Sequence, residues 1–241
     1  MTTVLERTVS GEVYQVSTMS SLLDGVYDGA LNYEQLREHG DFGIGTFDHL
    51  DGEMVGFDGN FYRLRGGSAT PLVKEDLTPF CTVSYFNPQI EKKVNQTLAK
   101  ADFEKLLHGL VPSENLFYAY RIEGVFKKVS TRTVSYQEKP VPMIEAVKSQ
   151  PTFEFENIKG TIVGFWTPSY AQGIAVAGYH FHFIDETLQK GGHVFDYIVD
   201  DVTVYIEQKS HMNLYTPDTD AFLKANLDRE DLLKEIKITE G

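Results

Sequence analysis

Apolar positions recur along this chain at two spacings, and the change between them marks out its elements. Phe103, Leu106, Leu107 and Leu110 fall at i, i+3, i+4 and i+7, the stripe of one helix face, and Asp102 precedes them as the expected cap. Residues 32–38 predict a shorter helix, with Asn32 placed to cap, Gln35 placed to reach back, and Gly40 just past the end. Elsewhere the period is two. Residues 55–57 and 60–62 flank Asp58-Gly59, a hairpin signal, and residues 122–135 are rich in Val, Thr and Phe, as strands are. Pro142 suits the first turn of a helix over residues 142–148.

Gln150-Pro151 then makes a junction. Beyond it, residues 161–165, 173–183, 193–199 and 202–207 read as strands joined by short turns, a small antiparallel sheet or barrel. Residues 218–236 read as two short polar helices split around residues 226–228. The expected class is mixed α/β of the α+β type. An N-terminal domain over residues 1–150 has a mixed sheet plus helices, and a β-rich domain over residues 151–241 has its tail folded back.

Composition narrows the function. With 41% hydrophobic and 12% aromatic residues, 241 residues can bury a substantial core. No apolar run approaches a membrane span, and the first ten residues carry Glu6 and Arg7 without an apolar signal core, so a cytoplasmic protein is expected. Cys81 is the only cysteine, which excludes an internal disulfide. The 35 acidic against 22 basic residues give a net charge of -13, a field that repels a nucleic-acid backbone. A small anionic substrate would need a local arginine or a metal to overcome that field.

The sharpest chemical signal is His180-Phe181-His182 followed by His193. On a strand, His180 and His182 share a face about 7 Å apart, while Tyr179, Phe181 and Phe183 take the other. If Lys190-Gly191-Gly192 makes the hairpin connection, the returning chain sets His193 roughly opposite His182. Three imidazoles with coordination positions left open suit a catalytic zinc, with iron, manganese or nickel as alternatives. His39, His49, His108 and His211 lack partner spacing and read as surface or capping residues.

Other motifs carry less. Gly43-Ile44-Gly45 with Asp48 begins like a dinucleotide fingerprint, but the third glycine and the long helix are missing. A Walker loop, a Cys pair, a His-Glu-x-x-His helix and a Gly-x-Ser-x-Gly elbow are all absent. Lys127-Lys128 reads as a solvated strand edge. His180-x-His182 with Glu186 resembles the first cupin motif, which implies a metal-dependent oxygenase or isomerase. The third histidine arrives after only eleven positions, however, and the Pro-x-Gly motif is missing, so Glu186 is expected at a hairpin end rather than beside a metal.

Several dispersed blocks carry a fuller likeness. They are Gly45-Thr46-Phe47 with Leu50-Asp51-Gly52-Glu53; Asn115-Leu116-Phe117-Tyr118-Ala119; Thr131-Arg132-Thr133-Val134; Gly178-Tyr179-His180-Phe181-His182-Phe183; Gly191-Gly192-His193; and Thr239-Glu240-Gly241. In this order the chain resembles the α-acetolactate decarboxylases, from about Tyr14 to its end. The resemblance implies His180, His182 and His193 as Zn2+ ligands, with catalytic Glu53, Arg132 and Glu240 around the open positions and Thr46 beside the substrate. It implies a homodimeric carboxy-lyase that converts (S)-2-acetolactate to (R)-acetoin and carbon dioxide through a metal-bound enediolate, on the acetoin and butanediol branch from pyruvate. Read from residues alone, Glu53 would be a solvated hairpin residue and Glu240 a frayed terminus. A metal-dependent binding protein without catalysis is a further alternative, one that would not require Glu53 or Arg132.

Overall fold

The structure, a computed structural model, describes residues 11–228 and 231–240. In chain order the elements are β1 (Glu12–Val16), α1 (Met19–Leu23), β2 (Leu31–Asn32), α2 (Tyr33–Leu36), β3 (Phe42–Thr46), β4 (Glu53–Phe57), β5 (Asn60–Arg65) and β6 (Ser68–Pro71). Next come β7 (Leu77–Thr78), β8 (Cys81–Ser84), β9 (Ile90–Ala99), α3 (Lys100–Leu110), β10 (Phe117–Arg132) and α4 (Met143–Ala146). The chain closes with β11 (Thr152–Thr167), β12 (Gly178–Asp185), β13 (Gly191–Lys209), β14 (His211–Tyr215), α5 (Asp220–Lys224) and α6 (Leu232–Glu240). This is the expected mixed α+β class, dominated by strand.

A seven-stranded sheet runs in the order β14-β1-β8-β3-β4-β5-β6. A second sheet runs β10-β11-β12-β13-β9, and β10 also pairs with β13, so β10 to β13 close a circuit. The two sheets pack face to face: Val13, Phe42, Ile44, Val55 and Leu64 of the first meet Ala119, Val163, Phe165 and Ile184 of the second. Period-two alternation sends Phe181 and Phe183 to the opposite face of the second sheet, where Phe103 and Leu107 of α3 cover them. The helices α1, α4 and α6 bring Leu22, Met143 and Ile236 against Leu50, Phe80 and Val134, closing one end of the sandwich.

Local patterns located most elements and misjudged several limits. The capping box of Asn32 and Gln35 on α2 is present, as is the β4–β5 hairpin. On α3 the cap is Ala99, and Asp102 sits inside the first turn, where a carboxylate complements the helix dipole. Pro142 caps α4 from outside, and a 3-10 turn, Val147–Ser149, completes that segment.

The two strands expected at 193–199 and 202–207 are one strand, β13. A register shift between Val199 and Asp201 absorbs the acidic pair, with Asp200 accepting from the Thr97 hydroxyl at 2.5 Å and Asp201 pairing with Lys93 at 2.6 Å. Residues 173–177 lie outside β12, which starts at Gly178. Lys127 and Lys128 are not at an edge: β10 is paired on both sides, and the lysines meet Asp200 and Glu154.

The division at residue 150 is not how the sheets divide. β10 and β11 pair from Tyr118 opposite Trp166 to Arg132 opposite Thr152, so strands from both sides of that position form one sheet. Likewise β14 joins the N-terminal sheet beside β1. Period-two patterns identify strands, but strand partners are set by packing at a distance. Among the described residues no helix is long and apolar enough to cross a membrane; the expected leader-free start, residues 1–10, lies outside them.

Candidate active site

Three adjacent strands of the second sheet set a row of side chains. Arg132, the last residue of β10, pairs with His193 of β13, and His193 pairs with His182 of β12. Directly paired residues project to the same face, so guanidinium and two imidazoles stand side by side, with His180 two positions along β12 on that face. Ligand atoms of His180, His182 and His193 all lie within 4.8 Å of one another. Ring centroids are 5.1 to 5.3 Å apart.

The turn before His193 differs from the expected one. Gly191 and Gly192 belong to β13, and the connection is residues 186–190, organised by Asp185, which accepts from the Gln189 and Lys190 N–H groups at 2.8 and 2.7 Å. The glycines serve close approach instead. A Cβ on Gly191 would lie 2.1 Å from the Phe183 carbonyl oxygen, and one on Gly192 2.7 Å from that of Arg132. Glu186 stands at the hairpin end, paired with Lys159 and away from the histidines.

Glu53 arrives from the other sheet. It opens β4, opposite Thr46 on β3, and is buried. Its Oε1 accepts from the Val134 N–H at 3.2 Å, and its Oε2 lies 3.8 Å from His182 Nε2. The Thr46 hydroxyl donates to the Gly52 carbonyl at 2.8 Å, closing the turn that delivers Glu53. Arg132 Nη2 reaches the Thr239 carbonyl and lies 3.3 Å from His193 Nε2.

These groups line one cavity with Leu22, Gly45, Leu50, Phe80, Val134, Met143, Gln150 and Thr239. Thr239 is buried near the end of α6. The side chain of Glu240, next along that helix, lies outside the described residues, as does Gly241. His39, His108 and His211 stay away from the cluster: His39 stacks on Tyr14, His108 pairs with Glu114, and His211 lies on β14.

The donor set fits a metal ion. His182 Nδ1 lies 2.7 Å from the Met54 carbonyl, so it carries the proton and donates, leaving Nε2 with its lone pair free. That Nε2 is buried without a hydrogen-bond partner. An orphaned buried acceptor costs about 1–3 kcal/mol, and an ion among the three rings would engage it. Burial pushes His182 down to about 4, opposed by the Met54 carbonyl and reinforced by the Arg132 charge. Burial, then His182, then Arg132 hold His180 well below the usual imidazole range. Both rings are thus neutral at neutral pH, the form that binds metal.

Against this geometry, the sequence profile described as "Alpha-acetolactate decarboxylase" matches residues 13–229. The chain belongs to that family. It is 59% identical over 232 residues to the alpha-acetolactate decarboxylase of Bacillus subtilis (strain 168), covering 95% of this chain and 91% of that protein. The corresponding figures for the Lactococcus lactis subsp. cremoris protein of the same name are 36% identity over 231 residues, 95% and 98%. The crystal structure of the Bacillus subtilis enzyme superposes with a TM-score of 0.94 at 58% identity, covering 95% of this chain and 99% of that one. Family membership sets the cupin reading aside.

Most of the cavity's apolar lining escaped sequence reading. Val134 and Thr239 share with Arg132 and Glu240 the blocks that carry the family likeness, so position could have flagged them. Leu22, Phe80, Met143 and Gln150 come from four separate segments with no chemical signal.

Proposed function

We propose that this cavity decarboxylates (S)-2-acetolactate to (R)-acetoin and carbon dioxide, with Zn2+ held by His180, His182 and His193. The carrying observation is that the histidine cluster and Arg132 stand on one sheet while Glu53 faces them from the other. When bound, the ion supplies a Lewis acid that polarises a carbonyl oxygen.

The chain's own residues supply the rest. Arg132 offers a planar cationic fork to the substrate carboxylate, a local attraction that overcomes the net charge of -13. As carbon dioxide leaves, the bonding pair passes toward the adjacent ketone, giving an enediolate. The carbon that lost the carboxylate then needs one proton, and delivery to a single face gives one hand of acetoin. We assign this delivery to Glu53; in support, the Val134 N–H binds one carboxyl oxygen and the other lies 3.8 Å from His182 Nε2. In this reading Glu240 shares the proton traffic from the end of α6, and Thr46 lines the substrate side. Leu22, Leu50, Phe80, Val134 and Met143 keep water from the enediolate. We take the working enzyme to be a cytoplasmic homodimer.

The test is purified protein with racemic 2-acetolactate, followed by carbon dioxide release and chiral analysis of the product, with and without a chelator. Chelator-sensitive release with (R)-acetoin is expected. Folded, zinc-loaded protein that releases none would overturn the reading.

A further inference from the structure

The cavity wall that carries Glu53 includes backbone held in an unusual state. His49 (φ 57°, ψ 27°) and Leu50 (φ 56°) are consecutive non-glycine residues in the left-handed region, where a Cβ crowds the following carbonyl. Leu50 is fully buried and lines the cavity, and Glu53 follows three residues later. Strained pairs of this kind persist only where neighbours over-determine them.

Two neighbours do so here: the Tyr27 carbonyl, which accepts from the His49 N–H at 2.9 Å, and the strap that joins β10 to α4, residues 133–142, which has no regular secondary structure. The strap contains Val134, whose N–H binds Glu53 Oε1. Three residues on, the Gln137 N–H donates to the His49 carbonyl at 2.8 Å, and His49 Nδ1 lies 3.0 Å from the Gln137 carbonyl, to which it donates. The imidazole also sits 5.2 Å from the Tyr136 ring. His49 thus grips Gln137 at two points, one through its backbone and one through its ring. An ordinary backbone conformation at position 49 would re-aim both groups.

We propose that His49 is a positioning residue for the decarboxylation: its two bonds to Gln137 hold the strap against the 47–52 turn and so hold the Val134 N–H that orients the Glu53 carboxylate. The proposal rests on the reading of Glu53 as proton donor given above. It is not a claim on the metal, because His49 lies outside the histidine cluster.

Two substitutions separate backbone from ring. In His49→Gly the left-handed conformation is unstrained but the ring donor is gone; in His49→Asn the same conformation is favoured and the amide nitrogen stands near the place of Nδ1. The measurements are zinc content, kcat and KM on 2-acetolactate, and amide hydrogen exchange at Val134 and Gln137 in the zinc-loaded full chain. For His49→Gly the expected result is full metal, kcat down ~10-fold with KM changed less than about 2-fold, and exchange at both amides faster by ~10-fold or more. For His49→Asn both quantities return to within about 2-fold of the parent.

Parental kcat and exchange in His49→Gly, or an Asn variant as slow as the Gly variant, would overturn the proposal. If His49→Gly does not fold, exchange in the unaltered protein decides. Protection of Gln137 comparable to that of paired strand amides supports the clamp, and exchange at the rate of an open loop refutes it. Absence of carbon dioxide release from the parent protein would instead strike the functional reading, leaving the exchange data to judge the clamp by themselves.

Discussion

The two walls of the cavity are built by different means. On one, Arg132, His193 and His182 occupy paired positions on three neighbouring strands, so the ladder itself sets their spacing. On the other, Glu53 begins a strand but is oriented by a turn with two left-handed residues and by a strap without regular structure. Each such left-handed residue costs about 1–3 kcal/mol, a sizeable share of the 5–15 kcal/mol that separates most folded domains from unfolding. A metal site needs fixed nitrogens, and the ladder provides them without strain. A proton donor, the role proposed for Glu53, has to be aimed at a substrate atom, and the Glu53 carboxyl is held by a few bonds between irregular segments.

The most damaging way to break this comparison is on the ladder wall. His182→Ala should lose tightly bound metal and reduce turnover by more than ~1000-fold, as metal analysis and product assay on the same preparation would show. A smaller loss is expected from Arg132→Lys, which keeps the charge but not the planar fork. We expect kcat/KM on 2-acetolactate to fall ~10- to 100-fold, mostly through KM, with metal retained. An unchanged KM would mean that Arg132 does not hold the carboxylate.

Gly191→Ala tests the ladder without touching chemistry. The new methyl meets the Phe183 carbonyl at 2.1 Å, and the hairpin must open to admit it. Destabilisation of about 2–3 kcal/mol is expected in urea unfolding of the metal-free protein. A neutral effect would show that the hairpin is looser than its pairing implies.

The last test concerns pH. His182 has its folded pKa lowered to about 4 from an unfolded value near 6.5. The unfolded chain therefore binds the extra proton in that window, so its contribution to stability is complete above pH 6.5 and is lost as pH falls toward 4. Metal-free protein should lose stability along that slope, and His182→Asn should flatten it. An identical pH profile in the variant would remove His182 as its source.

How much of this could be read beforehand follows from the same contrast. His180, His182 and His193 were legible because strand alternation and antiparallel return are local rules with few solutions. The turn between them was misplaced: Gly191 and Gly192 read as a turn signal, whereas their lack of a side chain serves contact with Phe183 and Arg132. The continuity of β13 was hidden by Asp200-Asp201, whose solvated side chains fit a bulge as well as a break. Glu53 was unremarkable as a residue and stood out only through the family likeness, because its burial comes from a sheet and strap distant in the chain. The His49 clamp had no sequence signal, since its partners are backbone groups 88 residues away.

The most direct test of the two-wall account is made on Glu53→Gln: zinc per chain and rate of carbon dioxide release from 2-acetolactate, measured on one preparation. The account predicts a full complement of zinc and a rate lower by ~100- to 10,000-fold, because the ladder still holds the ion while the opposite wall has lost its acid. Near-parental release from that variant would contradict it, and would move the proton delivery to another group in the cavity.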